Sequence, residues 1–312
     1  MRYLGVALVV ALSVVTPAAA AEEPPSPARP AAAKGTGDAK AAGEEKASGE
    51  VRWDPEWTQA GAGHVAVVAA AGAVALAGQF IAPDRTKVWS QRYDVDEDVR
   101  QGLRLPTSAG RATAKTASDF LAALVVVQPS VGDAWLNAWW GRGNRKVAWE
   151  LTVINAEVLA VTAALVGTSK WYFSRERPFG QGCGVELDAD SGECLSRDRY
   201  LSFFSGHAQF TFASASLTCV NHHYLPLWGD TPPWVACVTG YTLAATTGAL
   251  RIAADRHYFT DVVTGAMVGT LVGVTIPLLH YMTDVPTSRL ADGSVSMFLG
   301  VSGDGLTLSG AF

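Results

Sequence analysis

The chain is short of charge, histidine and cysteine. Only 17% of its 312 residues are Asp, Glu, Lys or Arg, and 24 basic against 29 acidic residues leave a net charge of -5. That balance offers no electrostatic footprint for a polyanion, so no nucleic-acid partner is expected. There are six histidines, and the one adjacent pair, His222-His223, has no Cys, Asp or Glu at ligand spacing beside it. The pair reads as solvated or interfacial, and the sequence calls for no metal and no cofactor. Large apolar side chains are almost missing from residues 22–50, which are mainly Pro, Ala, Gly, Lys and Glu. Such a stretch cannot bury a core and is expected to be a disordered tether, reaching to about residue 56, with the folded part starting near Trp53 to Trp57.

What is abundant is apolar: 49% of the chain. Residues 1–21, with one early Arg, an apolar run and Ala18 to Ala20, read as an export signal. Apolar stretches follow at about 61–82, 120–127, 147–167, 201–220, 234–249 and 260–280. Their Ala, Leu, Val and Gly content predicts helices, so the fold class is all-α, a bundle of about six helices over residues 57–284. Residues 285–312 change character, and VSMFLGVSGDGLTLSGAF predicts a short β-like hairpin around Gly-Asp-Gly.

Against this background three polar blocks stand out: Lys170 and Arg177-Pro178 in KWYFSRERP, Ser205-Gly206-His207 in FFSGH, and Arg251, His257 and Asp261 in LRIAADRHYFTD. A phosphoryl group in transit carries charge on its peripheral oxygens, and fixed cations stabilise it there. Arg177 and Arg251 can each grip two oxygens through the guanidinium fork, and Lys170 adds a point charge. Ser205 and Gly206 would supply a hydroxyl and an open backbone N–H. Lys170 and Arg177 are seven residues apart, close to two helical turns, with Pro178 expected to stop that helix. His257 and Asp261 at i, i+4 read as a nucleophile and the carboxylate that orients it, and His207 as the acid that protonates the leaving oxygen. Asp255 and Arg256 read as a loop ion pair or substrate-side contacts.

These blocks resemble the type 2 phosphatidic acid phosphatases (PAP2), whose fold is shared with bacterial class A acid phosphatases and vanadium haloperoxidases. The family pattern is Lys-x6-Arg-Pro, then Pro-Ser-Gly-His, then Ser-Arg-x5-His-x3-Asp. Phe204 stands where the pattern has Pro, and Leu250 where it has Ser. The resemblance implies a helical bundle, a phosphohistidine on His257 and no metal requirement.

Cys183 and Cys194 flank a polar loop and are expected to form a disulfide, while Cys219 and Cys237 read as small buried apolar residues, a second bridge staying open. The basic turn at residues 142–146 would lie inside by the positive-inside rule, the tether outside, and the site in the periplasm of a bacterial envelope; this five-span scheme requires the 120–127 segment not to cross. Glu150, Asn155, Glu157, His207 and Gln209 interrupt the apolar stretches and must face the interior if these cross a bilayer. Gly265, Gly269 and Gly273 at four-residue spacing predict a close helix contact. The expected function is hydrolysis of a lipid phosphate or pyrophosphate at a membrane. The alternatives are a soluble periplasmic acid phosphatase, a vanadate-dependent haloperoxidase or a non-catalytic anion-binding protein. Oligomeric state is not legible.

Overall fold

The computed structural model describes residues 51–80, 89–282, 296–302 and 305–311. The signal and most of the tether therefore lie outside the described residues. Eight α-helices are present among the described residues: α1 (Ala62–Phe80), α2 (Asp94–Leu103), α3 (Ser108–Val127), α4 (Arg145–Phe173), the single turn α5 (Gly192–Leu195), α6 (Gly206–Tyr224), α7 (Pro233–Ala253) and α8 (Phe259–Tyr281). The expected hairpin is present as β1 (Ser296–Ser302) and β2 (Gly305–Ala311), antiparallel, with Ser296 opposite Ala311 and Ser302 opposite Gly305.

Side-chain caps start several helices. Thr107 accepts the Gly110 N–H ahead of α3, Asn144 the Val147 N–H ahead of α4, and Ser205 the Ala208 N–H ahead of α6. The glycines of α8 do what their spacing predicts. A Cβ on Gly265, Gly269 or Gly273 would stand 2.6, 2.2 or 2.1 Å from the carbonyl oxygens of Ser205, Gln209 and Ala213. The two helices thus run parallel with backbones in direct contact, which only a residue without a side chain permits. Both start at the same end of the bundle, and α7, which lies between them in sequence, runs back along α6, tied to it by a Cys219–Cys237 disulfide. That second bridge replaces the expected pair of free buried thiols.

Contacts along α1 and α4 advance together: the Ala60 N–H donates to Glu150 at 2.8 Å, His64 meets Glu157, and Gly78 meets Gly167. The helices are parallel, so α1 begins beside the basic turn and ends beside Lys170. The Asn144 amide also donates to the Val51 carbonyl at 2.7 Å, and Val51 and Trp53 are buried in the core with Val147, Ala148 and Leu151. This corrects the five-span scheme, which put the tether and the basic turn on opposite sides. The helix containing Phe120 is also longer than expected. It continues from α3 through a wide π-helical stretch, Gln128–Gly141, giving 34 residues from Ser108 to Gly141, long and apolar enough to cross a membrane. The polar residues that concealed this length are turned inward: Asp133 is buried against His222 and Trp228. His222 is accordingly paired, not solvated, while His223 is exposed.

Two further helices, α4 at 29 residues and α8 at 23, are also long and apolar enough to span. The distribution of side chains agrees. Glu150, Asn155, Glu157 and Gln209 are all buried, as an apolar surrounding demands, while Val65, Leu76, Phe120, Leu124, Met267 and Leu271 are exposed. Exposed Trp135, Trp139, Trp140 and Trp234 gather toward one end and Trp171, Tyr172, Phe173 and Phe259 toward the other, a pattern suited to two interfaces.

Candidate active site

The three blocks converge where α4 ends and α6 and α8 begin. α4 delivers Lys170 on its last turn, but the helix stops at Phe173, where Ser174 takes a left-handed conformation (φ 43, ψ 41). Arg177 is therefore not on the helical face of Lys170, and Pro178 opens a separate 3-10 turn, Pro178–Gly182. The reversal at Ser174, not the helix, brings Arg177 back. The Cys183–Cys194 disulfide closes the loop that follows, as expected. Its far side returns the Arg199 carbonyl to accept the Arg177 N–H at 2.7 Å.

The protein itself satisfies the cations of these blocks only in part. Lys170 makes no ion pair among the described residues, and its Nζ lies 3.7 Å from where a Cβ on Gly206 would stand, so Gly206 leaves it room. Arg177 and Arg251 are nearly inaccessible. Arg177 donates through Nη2 to Asp198 at 2.9 Å, and Arg251 through Nη1 to Ser118 at 3.2 Å and to Asp119 at 3.0 Å. The Nε–H of each is buried without a protein partner. A buried unpaired donor on a guanidinium is costly, and an oxyanion would satisfy both.

His257 and Asp261 do not form the expected hydrogen bond. The Nδ1–H of His257 donates to the Ser202 carbonyl at 2.9 Å, and the nearest Asp261 oxygen is 3.8 Å away. The reason is local: α8 begins at Phe259, so His257 precedes the helix and the i, i+4 geometry does not apply. Asp261 instead caps α8, accepting the Tyr258 N–H at 2.9 Å and the Ser202 hydroxyl at 2.6 Å. Ser202 thus joins the two residues, with its carbonyl on the imidazole and its hydroxyl on the carboxylate. Ser205 caps α6 and donates its N–H to the Asp261 carbonyl at 3.0 Å, which places the start of α6 over the start of α8.

Three residues here were missed in the sequence. Asp119 on α3 accepts from His207 Nε2 at 2.8 Å as well as from Arg251 and Lys115. Its signal was a Lys115/Asp119 pair at i, i+4 in an otherwise apolar helix. Arg175 lies inside the first block but was passed over. It is fully buried and bridges Asp96 at 2.7 Å and Asp261 at 2.5 Å, with its guanidinium 4.4 Å from the ring centres of Trp89 and Tyr258. Ser202 had no signal beyond its nearness to FFSGH. Asp255 and Arg256 do not pair with each other. Asp255 accepts from Arg100 at 2.6 Å and Arg104 at 2.8 Å, and Arg256 reaches Glu193 at 2.9 Å. A cavity of about 120 Å³ lined by Arg104, Arg111, Lys115, Phe179 and Arg256 adjoins this side.

Electrostatics hold both histidines neutral in the free protein. Burial, and then Arg177, Arg251 and Lys170, push His257 well below the ordinary imidazole value. Burial and Arg251 bring His207 down to about 4, with Asp119 opposing. A neutral imidazole with its Nδ1–H engaged, beside three cations, has the form that a nucleophile next to an anion cradle would take.

Residues 151–284 match the PAP2 superfamily, a span that contains all three blocks. A lipid A 1-phosphatase from Porphyromonas gingivalis is 30% identical over 181 residues, 58% of this chain and 34% of the relative. The chain thus matches about a third of that protein's length. No solved structure matches.

Proposed function

We propose, with the PAP2-superfamily match of residues 151–284 as premise, that the protein is a phosphatase that removes phosphate from a lipid through a phosphohistidine on His257. One observation carries the mechanism: the Ser202 carbonyl fixes the His257 tautomer, so that Nε2 keeps its lone pair beside Lys170, Arg177 and Arg251. Nε2 attacks phosphorus while the three cations and the N–H groups at the start of α6 take up charge on the peripheral oxygens. The ester P–O bond breaks, and the leaving oxygen takes its proton from His207. Phosphate between Arg251 and His207 offsets the cationic field that lowers His207 and so favours its protonated form. In the second half, water attacks the phosphohistidine, His207 accepts the water's proton, and phosphate leaves. No step requires a metal.

Lipid substrates fit the exposed apolar helices and the aromatic residues at the site end, Trp171, Tyr172, Phe173 and Phe259. The relative's lipid A 1-phosphatase activity supports the same substrate class: a phosphate on a membrane-anchored lipid. Brief exposure of the parent to labelled lipid phosphate, followed by alkaline denaturation, should leave an acid-labile, base-stable label. Label retained in His257→Ala would reject the assignment.

A second reading draws on the disulfides. Cys183–Cys194 lies at the site end and Cys219–Cys237 toward the other. Both bonds persist together in a bundle that lies wholly in an oxidising compartment. Under that reading the protein stays in the supernatant after detergent-free lysis and hydrolyses soluble esters.

A further inference from the structure

Toward the end of the bundle remote from the phosphate site, three helices bring together His64 of α1, Glu157 of α4 and His280 of α8. His64 Nδ1 is 2.9 Å from Glu157 Oε1, and His280 Nε2 is 2.7 Å from Glu157 Oε2. The imidazole rings lie with centroids 4.5 Å apart, so one carboxylate faces two rings on the same side. All three ligand-type atoms fall within 4.8 Å of one another, and this is the only such group of His, Cys, Asp and Glu among the described residues.

We infer that this trio is a binding site for one divalent transition-metal ion of the zinc type. The donor set is two imidazole nitrogens and one carboxylate, which suits zinc, cobalt or nickel and not magnesium or calcium, whose sites are built from oxygens. Glu157 and His280 are buried, while a quarter of the His64 side chain reaches the surface and gives an ion a way in. His280 Nδ1 is buried without a protein partner. In the tautomer that presents the Nε2 lone pair to a metal, that Nδ1–H has no acceptor among the described residues, so ligation carries the cost of one buried unpaired donor. On binding, each imidazole carries its proton on the ring nitrogen turned away from Glu157, and the ion takes the place of the two hydrogen bonds now made to that carboxylate.

The site is separate from the phosphate cradle. Glu157 precedes Lys170 by 13 residues on α4, about 20 Å along a helix. Its role follows from its members: it ties α1, whose outer face is exposed at Val65, Val74 and Leu76, to α4 and α8. The metal would fasten α1 to the bundle and take no part in phosphoryl transfer.

The test uses the full chain without a histidine tag, stripped with chelator and held in phosphate-free buffer. Zinc titrated by calorimetry should bind at one ion per chain and raise the unfolding temperature. His64→Ala should weaken binding by more than about 100-fold, since loss of an outer-shell partner alone costs about 10–100-fold. His223→Ala, which removes an exposed imidazole, should bind as the parent does. Cobalt should give the absorption of a low-coordinate site in the parent and lose it in Glu157→Gln, which keeps the shape of the side chain. Chelator should lower the unfolding temperature and leave turnover at low temperature unchanged. The inference is overturned if the parent takes up no zinc by about 1 mM, the weak end of specific binding. It is also overturned if His64→Ala binds like the parent, or if binding is lost only in His223→Ala.

Discussion

Replacing Gly269 with alanine tests the contact on which the whole site is hung. A Cβ there would stand 2.2 Å from the Gln209 carbonyl oxygen and 3.0 Å from its Cα, where ordinary contact begins at 3.4 Å. The obstacle is backbone, so no rotamer change relieves it, and α6 and α8 must part by roughly 1 Å in a close-packed interior. Overpacking of this kind costs about 1–3 kcal/mol, against which alanine regains about 0.8–1 kcal/mol of helix propensity. Gly72→Ala in α1 is the matched control, because nothing lies within 4 Å of its Cβ. It should gain the propensity without the clash, so the two variants should differ by about 1–3 kcal/mol. At roughly 2–4 °C per kcal/mol for a domain of this size, thermal unfolding in detergent resolves the gap. Gly206 and His207 open α6 and Asp261 opens α8, so the same displacement misaligns the cradle; a misplacement of about 1 Å can cost about 100-fold in kcat. A Gly269→Ala protein that melts with Gly72→Ala and turns over like the parent would refute the packing account.

Three other perturbations bear on the site. Arg175→Met leaves the buried carboxylates of Asp96 and Asp261 without their shared cation and should cost about 3–5 kcal/mol in unfolding experiments; parental stability would mean the bridge contributes little. In the proposed mechanism His207 is the acid, and it is held down to about 4 in the free protein, so kcat/KM should fall as pH rises above that value. His257, which must be neutral and is lowered further below its ordinary range, should add no acid limb near pH 6. Asp119→Asn removes the carboxylate that raises His207, so the descending limb should move to lower pH, and an upward move in the pH–rate profile contradicts the assignment.

The membership of the candidate site was legible because it sits in short blocks whose residue types have few other uses. Lys170, Arg177, Ser205, Gly206, His207, Arg251 and His257 do meet at one end of the bundle, and the glycine repeat of α8 did announce its neighbour. The geometry between these residues was less legible. A seven-residue spacing equals two helical turns, but it equally fits a helix that stops and doubles back. At Ser174 a non-glycine residue takes the left-handed conformation that sequence rarely signals. The i, i+4 spacing of His257 and Asp261 misled for a related reason: the helix starts between them, and a backbone carbonyl, which carries no residue-type signal, took the proton expected on the carboxylate. The ion pairs that lock the site, Arg175 to Asp96 and Arg251 to Asp119, span 79 and 132 residues and leave no local pattern. The metal trio was hidden likewise, its three members falling on three different helices.

The parallel course of α1 and α4 has an experimental use. Arg52 is exposed, next to residues fixed beside the basic turn, at the end of the bundle away from the cradle. A single cysteine at this position in intact cells, challenged with a thiol reagent that does not cross membranes, reports the face that substrate does not use. The reagent's compartment and the substrate's should then be opposite if the helices traverse the bilayer and the same if they do not. One label far from the candidate site thereby orients the protein without disturbing it.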